Sequence, residues 1–468
     1  MKQWILYFSV FFSSIIFRLI LYYSGIFEIQ FETADSWEYR DLAWSILKDH
    51  TFGLNGAPKM NRTPGYPAFL AVIFATLGSS QFAITGVQIL LDTLICLLVV
   101  HICFKLEMNK KAIIIAVILT VTCLHTAIYS LMMMTETLYA FFITSALWFL
   151  VPEKPDSQKL IFSVPTNRII LSSLMFGFGI LVRPALAPSV AMFAGLLAVL
   201  AIMNIKKRTI GFLEFKQYIL FGFILSVVVV PWMLRNFIVF NHEFKEPKNP
   251  NATLFGYKTD IKIYRHFYSK EFQGYLYSNE EPFVISGPVK RPDIVKYVYD
   301  GESEDLDRVF GNLEKQIRSE NIIGLPETLA EFSRITAKRY ETAPRLYVTA
   351  PLSRFFRFWI TPRISAFWPN TSGHNSSLTI NIGFTLYSVL YVVPGFIGIF
   401  LGLLRRKNRN FFLSLIVIIV GHSWMYSVWT AAVQGRYAIP LFPLLVIGVA
   451  YFIHFLEEAL RKQTIKPT

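Results

Sequence analysis

Long apolar stretches recur along the chain at about 4–25, 82–104, 112–134, 137–151, 168–183, 185–204, 217–235, 381–404, 411–432 and 438–457. A hydrocarbon core ~30 Å thick takes about 20 apolar residues per helix, so this pattern predicts about ten transmembrane helices. The apolar stretch 66–78 is too short to span and predicts a re-entrant or juxtamembrane helix. A different pattern appears at about 36–49, where Tyr39, Leu42, Ala43, Ile46 and Leu47 recur at i, i+3, i+4, i+7 and i+8. That period predicts an amphipathic helix lying flat at the membrane surface. Between 236 and 380 the apolar runs stop, and two further helices are predicted at about 303–319 and 326–358. The fold class is therefore an all-α polytopic membrane protein. Juxtamembrane helices lie in its first outer loop, and it carries a small, mainly helical outer domain.

Composition agrees with this pattern. Of 468 residues 54% are hydrophobic and only 16% charged, against roughly 25% charged in soluble domains. The net charge of +14 would point to nucleic acid in a soluble protein. In a membrane protein it reports orientation instead, so no nucleic-acid partner is expected. Cys96, Cys103 and Cys123 all lie in apolar runs, without the spacing of a disulfide framework or a metal site. The first apolar run is longer than a signal-peptide core and contains Arg18, which predicts an uncleaved first helix.

Loop charges alternate along the chain. The N-terminus, the loops 105–111, 152–168, 205–216 and 405–410, and the C-terminus together hold 18 Lys and Arg. The positive-inside rule makes that set cytoplasmic. The opposite loop 26–67 carries four basic and six acidic residues. Both termini are then cytoplasmic. The chain divides into an N-terminal transmembrane module (1–235) containing that first outer loop (26–67), a non-cytoplasmic domain (236–380) and C-terminal transmembrane helices (381–468). The expected location is the plasma (inner) membrane, with the functional side periplasmic or extracellular.

Charges inside or beside apolar runs are costly, and a functional role is their default reading. They are Arg18, Asp92, Glu136, Arg183, Arg235 and Arg436. Snorkelling is the competing account for Arg18 and Arg235. Four of the six fall at predicted outer helix ends, the side that also carries Arg62 and the cluster from Asp35 to Asp41. Asp35-Ser36-Trp37-Glu38 has the spacing of a capping box with Asp35 as N-cap, and it also offers a carboxylate at the membrane surface. Arg62-Thr63-Pro64-Gly65-Tyr66-Pro67 reads as a rigid turn, and it also aims a guanidinium suited to a phosphate. The segment 334–363 holds seven basic residues against Glu341 alone.

Taken in order, these motifs resemble a known family. They are Asp35, Tyr39-x-x-Leu42-Ala43, the Arg62–Pro67 turn, Thr135-Glu136, Leu181-Val182-Arg183-Pro184, Pro231-Trp232-x-x-Arg235-Asn236 and Gly435-Arg436-Tyr437-x-x-Pro440. Their order is similar to that of the bacterial branch of the protein O-mannosyltransferase family, which includes the lipid A aminoarabinose transferases. The resemblance covers most of the chain to about 240 and again from about 420, and is weak over 245–330. It implies a C-type glycosyltransferase architecture, a polyprenyl-phosphate-linked sugar as donor, and transfer to a glycan, lipid or protein on the outer face. It implies Asp35 as the catalytic carboxylate and Glu136 as a second acid near the site. The resemblance places Arg62 beside the donor phosphate, and the negative charge developing there makes Arg183, Arg436 or the basic stretch 334–363 candidate helpers. Glu38, Tyr39, Tyr66, Arg235 and Tyr437 are supporting or acceptor-binding candidates. No cofactor or dedicated metal site is expected, although Asp35 and Glu136 together have the chemistry to hold a divalent cation.

Other classes compete. In a transporter or flippase of lipid-linked sugars, Arg18, Asp92 and His125 would line a path, but no internal repeat accompanies them. A glycan polymerase or ligase would concentrate its motifs in the late outer loop, whereas here they fall in the first. A non-catalytic membrane scaffold is the remaining alternative.

Overall fold

A computed structural model describes residues 3–25, 29, 31–54, 57–59, 62–152, 164–206, 212–245, 298–318, 325–360, 377–429 and 435–464. Helices dominate them. From the N-terminus come α1 (Gln3–Ser24), α2 (Ala34–Lys48), α3 (Gly65–Leu77), α4 (Gln81–Lys105), α5 (Lys110–Val121), α6 (Leu124–Ser130) and α7 (Glu136–Leu150). Then follow α8 (Thr166–Val182), α9 (Leu186–Lys206) and α10 (Phe212–Lys245). The segment between α10 and α14 contributes α11 (Glu302–Arg318), α12 (Leu325–Thr342) and α13 (Leu346–Ile360). The chain closes with α14 (Ser377–Leu404), α15 (Arg409–Trp424), a π-helical turn (Met425–Trp429), a 3-10 turn (Gly435–Leu441) and α16 (Phe442–Thr464). One departure from all-α is a two-residue antiparallel ladder in the first loop, β1 (Gly53–Leu54) against β2 (Ala57–Pro58).

This is a multi-pass membrane protein. Among the described residues six helical stretches are long and apolar enough to cross a bilayer: Gln3–Ser24, Gln81–Lys105, Lys216–Val239, Thr385–Leu404, Arg409–Val428 and Gly435–Arg461. The pair α5 and α6, bent by 41°, makes a seventh if it is one span. Each of the ten stretches expected to span is helical among the described residues, and six or seven of them are long and apolar enough by themselves to cross. The other three apolar stretches form α7 with 15 residues, α8 with 17, and the short apolar part Leu186–Leu196 of α9. At 1.5 Å per residue α7 is shorter than a ~30 Å core, whereas α8 and the 21-residue α9 are within the range of spanning helices.

Two boundaries also differ from expectation. The helix predicted to end at Arg235 continues through Pro231 to Lys245, because nothing between Asn236 and Lys245 breaks a helix. The predicted helix 326–358 is two, α12 and α13, parted at Pro344. Proline lacks an N–H and disfavours helix at the residue before it. The Pro-, Asn- and Tyr-rich stretch 246–297 of the expected outer domain lies outside the described residues, as does Arg363. What is described there is an amphipathic pair, α11 and α12, closed by Leu306, Val309, Phe310, Phe332 and Ile335 and by a buried ion pair between Arg339 and Glu302.

The bend between α5 and α6 leaves carbonyls that no lipid would satisfy, and neighbouring helices supply the partners. Arg18 on α1 donates to Val121 O at 3.1 Å, while its charge meets Asp92 on α4 at 2.6 Å. The Tyr387 hydroxyl on α14 donates to Thr122 O and accepts from Leu124 N, each at 3.0 Å, and Tyr391 donates to Leu119 O at 3.1 Å. Arg18 is therefore a buried partner of Asp92 and not a snorkelling anchor.

Candidate active site

The segment between α1 and α3 builds half the site. Thr33 is the N-cap of α2, with extended backbone, and its N–H donates to the Ser36 hydroxyl at 3.0 Å. The expected capping box of Asp35 and Glu38 is thereby corrected by two residues. The register change has a chemical consequence: neither carboxylate is spent on the helix end. Tyr39, Leu42 and Ala43 form the buried face, as their spacing predicts, and Asp35 and Glu38 are left toward the turn before α3.

That turn is held by a close approach. A Cβ on Gly65 would lie 2.7 Å from the backbone of Leu181 and Val182, so only glycine lets α3 meet the end of α8. The Thr63 hydroxyl donates to Val182 O at 3.0 Å across the same contact. The motif that carries Arg62 is thus tied to the motif that carries Arg183.

Arg62 donates from Nη2 to Asp35 Oδ1 at 2.6 Å, from Nε to Glu38 Oε2 at 2.5 Å, and from Nη1 to the Tyr39 hydroxyl at 3.4 Å. Arg436, from the 3-10 turn before α16, lies 2.8 Å from the other Asp35 oxygen. Lys59 pairs with Glu38 Oε1 at 2.9 Å. Asp35 is therefore bracketed by two guanidiniums, one on each oxygen. Burial pushes its carboxyl up, but Arg62 and Arg436 outweigh that and hold it lowered to about 2. Glu38 is lowered in the same way, with burial opposed by Arg62 and Lys59. Asp35, Arg62 and Arg436 keep 24%, 26% and 23% of their side chains exposed, so a solute reaches them.

The second half is buried. Glu136 begins α7 and is fully enclosed. Arg183, just beyond α8, donates to Glu136 Oε1 and to the Thr135 hydroxyl, each at 2.5 Å. Tyr437 joins the halves, with the Arg183 and Arg436 guanidiniums 5.4 and 5.3 Å from its ring centre. The Tyr426 ring stacks on it at 4.1 Å. Electrostatically the halves are one unit, because Arg436 feels both Glu136 and Asp35.

No known family profile matches this chain. No curated protein matches it either. Among solved structures it is similar to ArnT from Cupriavidus metallidurans in the apo state, with 11% identity, a TM-score of 0.34, and 96% of this chain and 76% of that one covered. The same protein bound to undecaprenyl phosphate gives 13% identity, a TM-score of 0.35, and coverage of 96% and 77%. The functional reading rests on the site itself.

Of the residues singled out by sequence, Asp35, Glu38, Tyr39, Arg62, Arg436 and Tyr437 converge at one place, with Glu136 and Arg183 buried beside them. Tyr66 is also buried; its ring meets Tyr39 edge-on at 5.2 Å and its hydroxyl donates to Gln88 at 2.8 Å. Arg235 bonds elsewhere. It donates to Phe52 O at 2.8 Å and Lys59 O at 2.6 Å, bracing the small hairpin that presents Lys59. From the basic stretch, Arg339 is committed to Glu302, and Arg354 donates to Ser427 O at 2.7 Å in the π-helical turn. Asp35 and Glu136 each pair with guanidinium groups. Among the described residues no group of three or more His, Cys, Asp or Glu has a metal-holding arrangement. Sequence reading missed Lys59, Ser36 and Gln88. Lys59 stands three residues before Arg62, and that pairing of cations before the turn was the available signal.

Proposed function

We propose that the protein is a membrane glycosyltransferase of C-type architecture. It moves a monosaccharide from a polyprenyl-phosphate donor to a hydroxyl-bearing glycan, lipid or protein on the non-cytoplasmic face. The observation that carries this reading is the accessible Asp35 carboxylate held between Arg62 and Arg436. Guanidiniums of that kind bind phosphate oxygens in bidentate fashion, and a membrane-surface carboxylate beside them is a base for an acceptor hydroxyl.

Charge balance supports the reading. Lys59, Arg62, Arg183 and Arg436 face Asp35, Glu38 and Glu136, which leaves one positive charge in excess among these residues. A sugar phosphodiester carries one negative charge, and the released lipid phosphate carries close to two. In the proposed step the acceptor oxygen bonds to the anomeric carbon, and its proton passes to Asp35. The bond from that carbon to the phosphate oxygen breaks, with its electron pair leaving on the phosphate. Neutralising Asp35 raises the positive excess to two as the leaving group becomes a dianion. Cations that match the charge developing in the transition state are a principal source of catalysis. A phosphate leaves without a general acid, and direct displacement inverts the anomeric centre. Glu136, enclosed with Arg183, acts in this reading by holding that cation in place.

Asp35 at about 2 is a weak base until something draws its cations away. A donor phosphate does this by taking hydrogen bonds from Arg62 and Arg436. Donor binding thus precedes acceptor activation. The test is release of polyprenyl phosphate from a polyprenyl-phosphate sugar by the purified protein, with Asp35→Asn as control. Full turnover by that variant sinks the role of Asp35. Donor crossing vesicle membranes without any transfer would favour the flippase.

A further inference from the structure

The two halves of the site come from chain segments about a hundred residues apart, and their relative position depends on the short turn 130–135. That turn ends α6 and delivers Thr135 and Glu136 to the start of α7. It also grips the first outer loop. The Ser36 hydroxyl, next to Asp35, donates to Met133 O at 2.8 Å, and Met133 N donates to Phe31 O at 2.9 Å. The turn has little regular structure of its own, so its carbonyls need outside donors.

Gln88 supplies two of them, and Met134 N adds a bond to Met132 O at 2.8 Å from within the turn. The Gln88 side chain is fully buried in α4, where an amide has no place without a complete set of partners. Its Nε2 donates to Ser130 O at 3.2 Å and Met132 O at 2.6 Å. Its Oε1 accepts from the Tyr66 hydroxyl at 2.8 Å. One side chain thus joins three parts of the site: the turn before Glu136, the loop beside Asp35 through Met133, and α3, which follows Arg62. Nothing in the apolar packing of α4 requires an amide here.

We propose that Gln88 is a positioning residue, whose amide clamps the 130–135 turn and so fixes Asp35 relative to Glu136 and Arg183. This rests on the glycosyl-transfer reading above. Gln88 touches no reacting atom. The phosphate-facing cations Arg62 and Arg436 are held by Asp35 and Glu38, and not by this turn. Loss of the amide therefore loosens the Asp35–Arg62–Arg436 cluster against Glu136 and Arg183, while the ion pairs inside the cluster, and with them its affinity for phosphate, persist.

The test compares wild type, Gln88→Met, Tyr66→Phe and the double variant as full-length protein in nanodiscs. Three quantities are read: kcat and KM with a polyprenyl-phosphate sugar, affinity for polyprenyl phosphate, and hydrogen exchange of the peptide covering 130–135. Misplacement of a catalytic group by about an ångström costs on the order of 100-fold in rate. The expected result for Gln88→Met is a kcat lower by about 10- to 100-fold, donor affinity close to wild type, and faster exchange in the turn. Adding Tyr66→Phe removes the orphaned hydroxyl but leaves the turn unclamped, so kcat stays low. Recovery of kcat in the double variant means that Gln88 serves Tyr66 alone, and overturns the proposal. So does a parallel loss of kcat, donor affinity and thermal stability, which marks a purely structural role. If Gln88→Met does not fold, Gln88→Glu keeps an acceptor for Tyr66 while removing the amide donors, and the same kcat loss is expected. Absence of turnover by wild type defeats the glycosyl-transfer reading, and the clamp then stands or falls on whether exchange in the turn rises.

Discussion

At Asp35 the same two guanidiniums that make the site attractive to phosphate also suppress the base. Replacing Asp35 with Asn removes the base and is expected to lower turnover by about 10²- to 10⁴-fold. The same change removes the carboxylate that competes with phosphate for Arg62 and Arg436. Binding of polyprenyl phosphate is therefore expected to tighten, measured on the same preparation. Weaker binding by Asp35→Asn would contradict the competition. The pH dependence carries the same signature. In the free protein Asp35 is lowered from 3.8 to about 2, and once donor occupies its cations the carboxyl rises. The acid limb of kcat should lie at higher pH than that of kcat/KM, by about one pH unit or more. Stability follows the opposite ordering of states. A carboxyl lowered by folding contributes stability that is complete above the unfolded value of about 4 and is lost as pH falls toward 2. The melting temperature of the ligand-free wild type should then fall more steeply below pH ~4 than that of Asp35→Asn.

Among the elements, α2, α3 and the hairpin between them behave as one unit pressed onto the end of α8. The Gly65 contact is backbone against backbone, so no rotamer change relieves an added methyl. Gly65→Ala is expected to destabilise the protein by roughly 1–3 kcal/mol, seen in thermal unfolding, and to raise the donor KM because Arg62 shifts with the turn. The amphipathic period of α2 was legible, because one face packs on α3 and the other is polar. Its N-cap was not. Asp is favoured over Thr as a cap, and the choice of Thr33 with Ser36 depends on Met133, a partner 97 residues away from Ser36. The split of α12 from α13 was written in Pro344 and passed over, since the apolar period runs through it.

For the whole molecule, the buried Arg18–Asp92 pair locks α1 to α4 beside the bend of α5 and α6. Arg18→Leu leaves Asp92 enclosed without its cation, and removal of one partner of a buried pair costs about 3–5 kcal/mol. The double variant with Asp92→Leu should recover most of that, read as melting temperature in detergent. Failure to recover would mean that the Arg18 bond to Val121 O, and not the ion pair, is what holds the bend. The small-residue packing of α14 on α16 is as tight, because Gly398 faces the Gly448 carbonyl with no room for a Cβ.

Hydrophobic runs, loop charges and motif order were enough to establish a helical multi-pass membrane protein and to single out Asp35, Arg62, Arg183 and Arg436. Those signals are local, since bilayer thickness and helical period act on neighbouring residues. The extent of each helix, the partner of each charge and the burial of Glu136 were decided only by tertiary structure. Helix lengths of 15 and 17 residues are ambiguous until a helix has neighbours. A guanidinium also takes whichever carboxylate the fold brings within about 3 Å. Arg235 shows this most plainly. Its sequence motif points to the site, but folding directs it to the carbonyls of Phe52 and Lys59, where it braces the hairpin that carries Lys59 and leaves the carboxylates to Arg62 and Arg436.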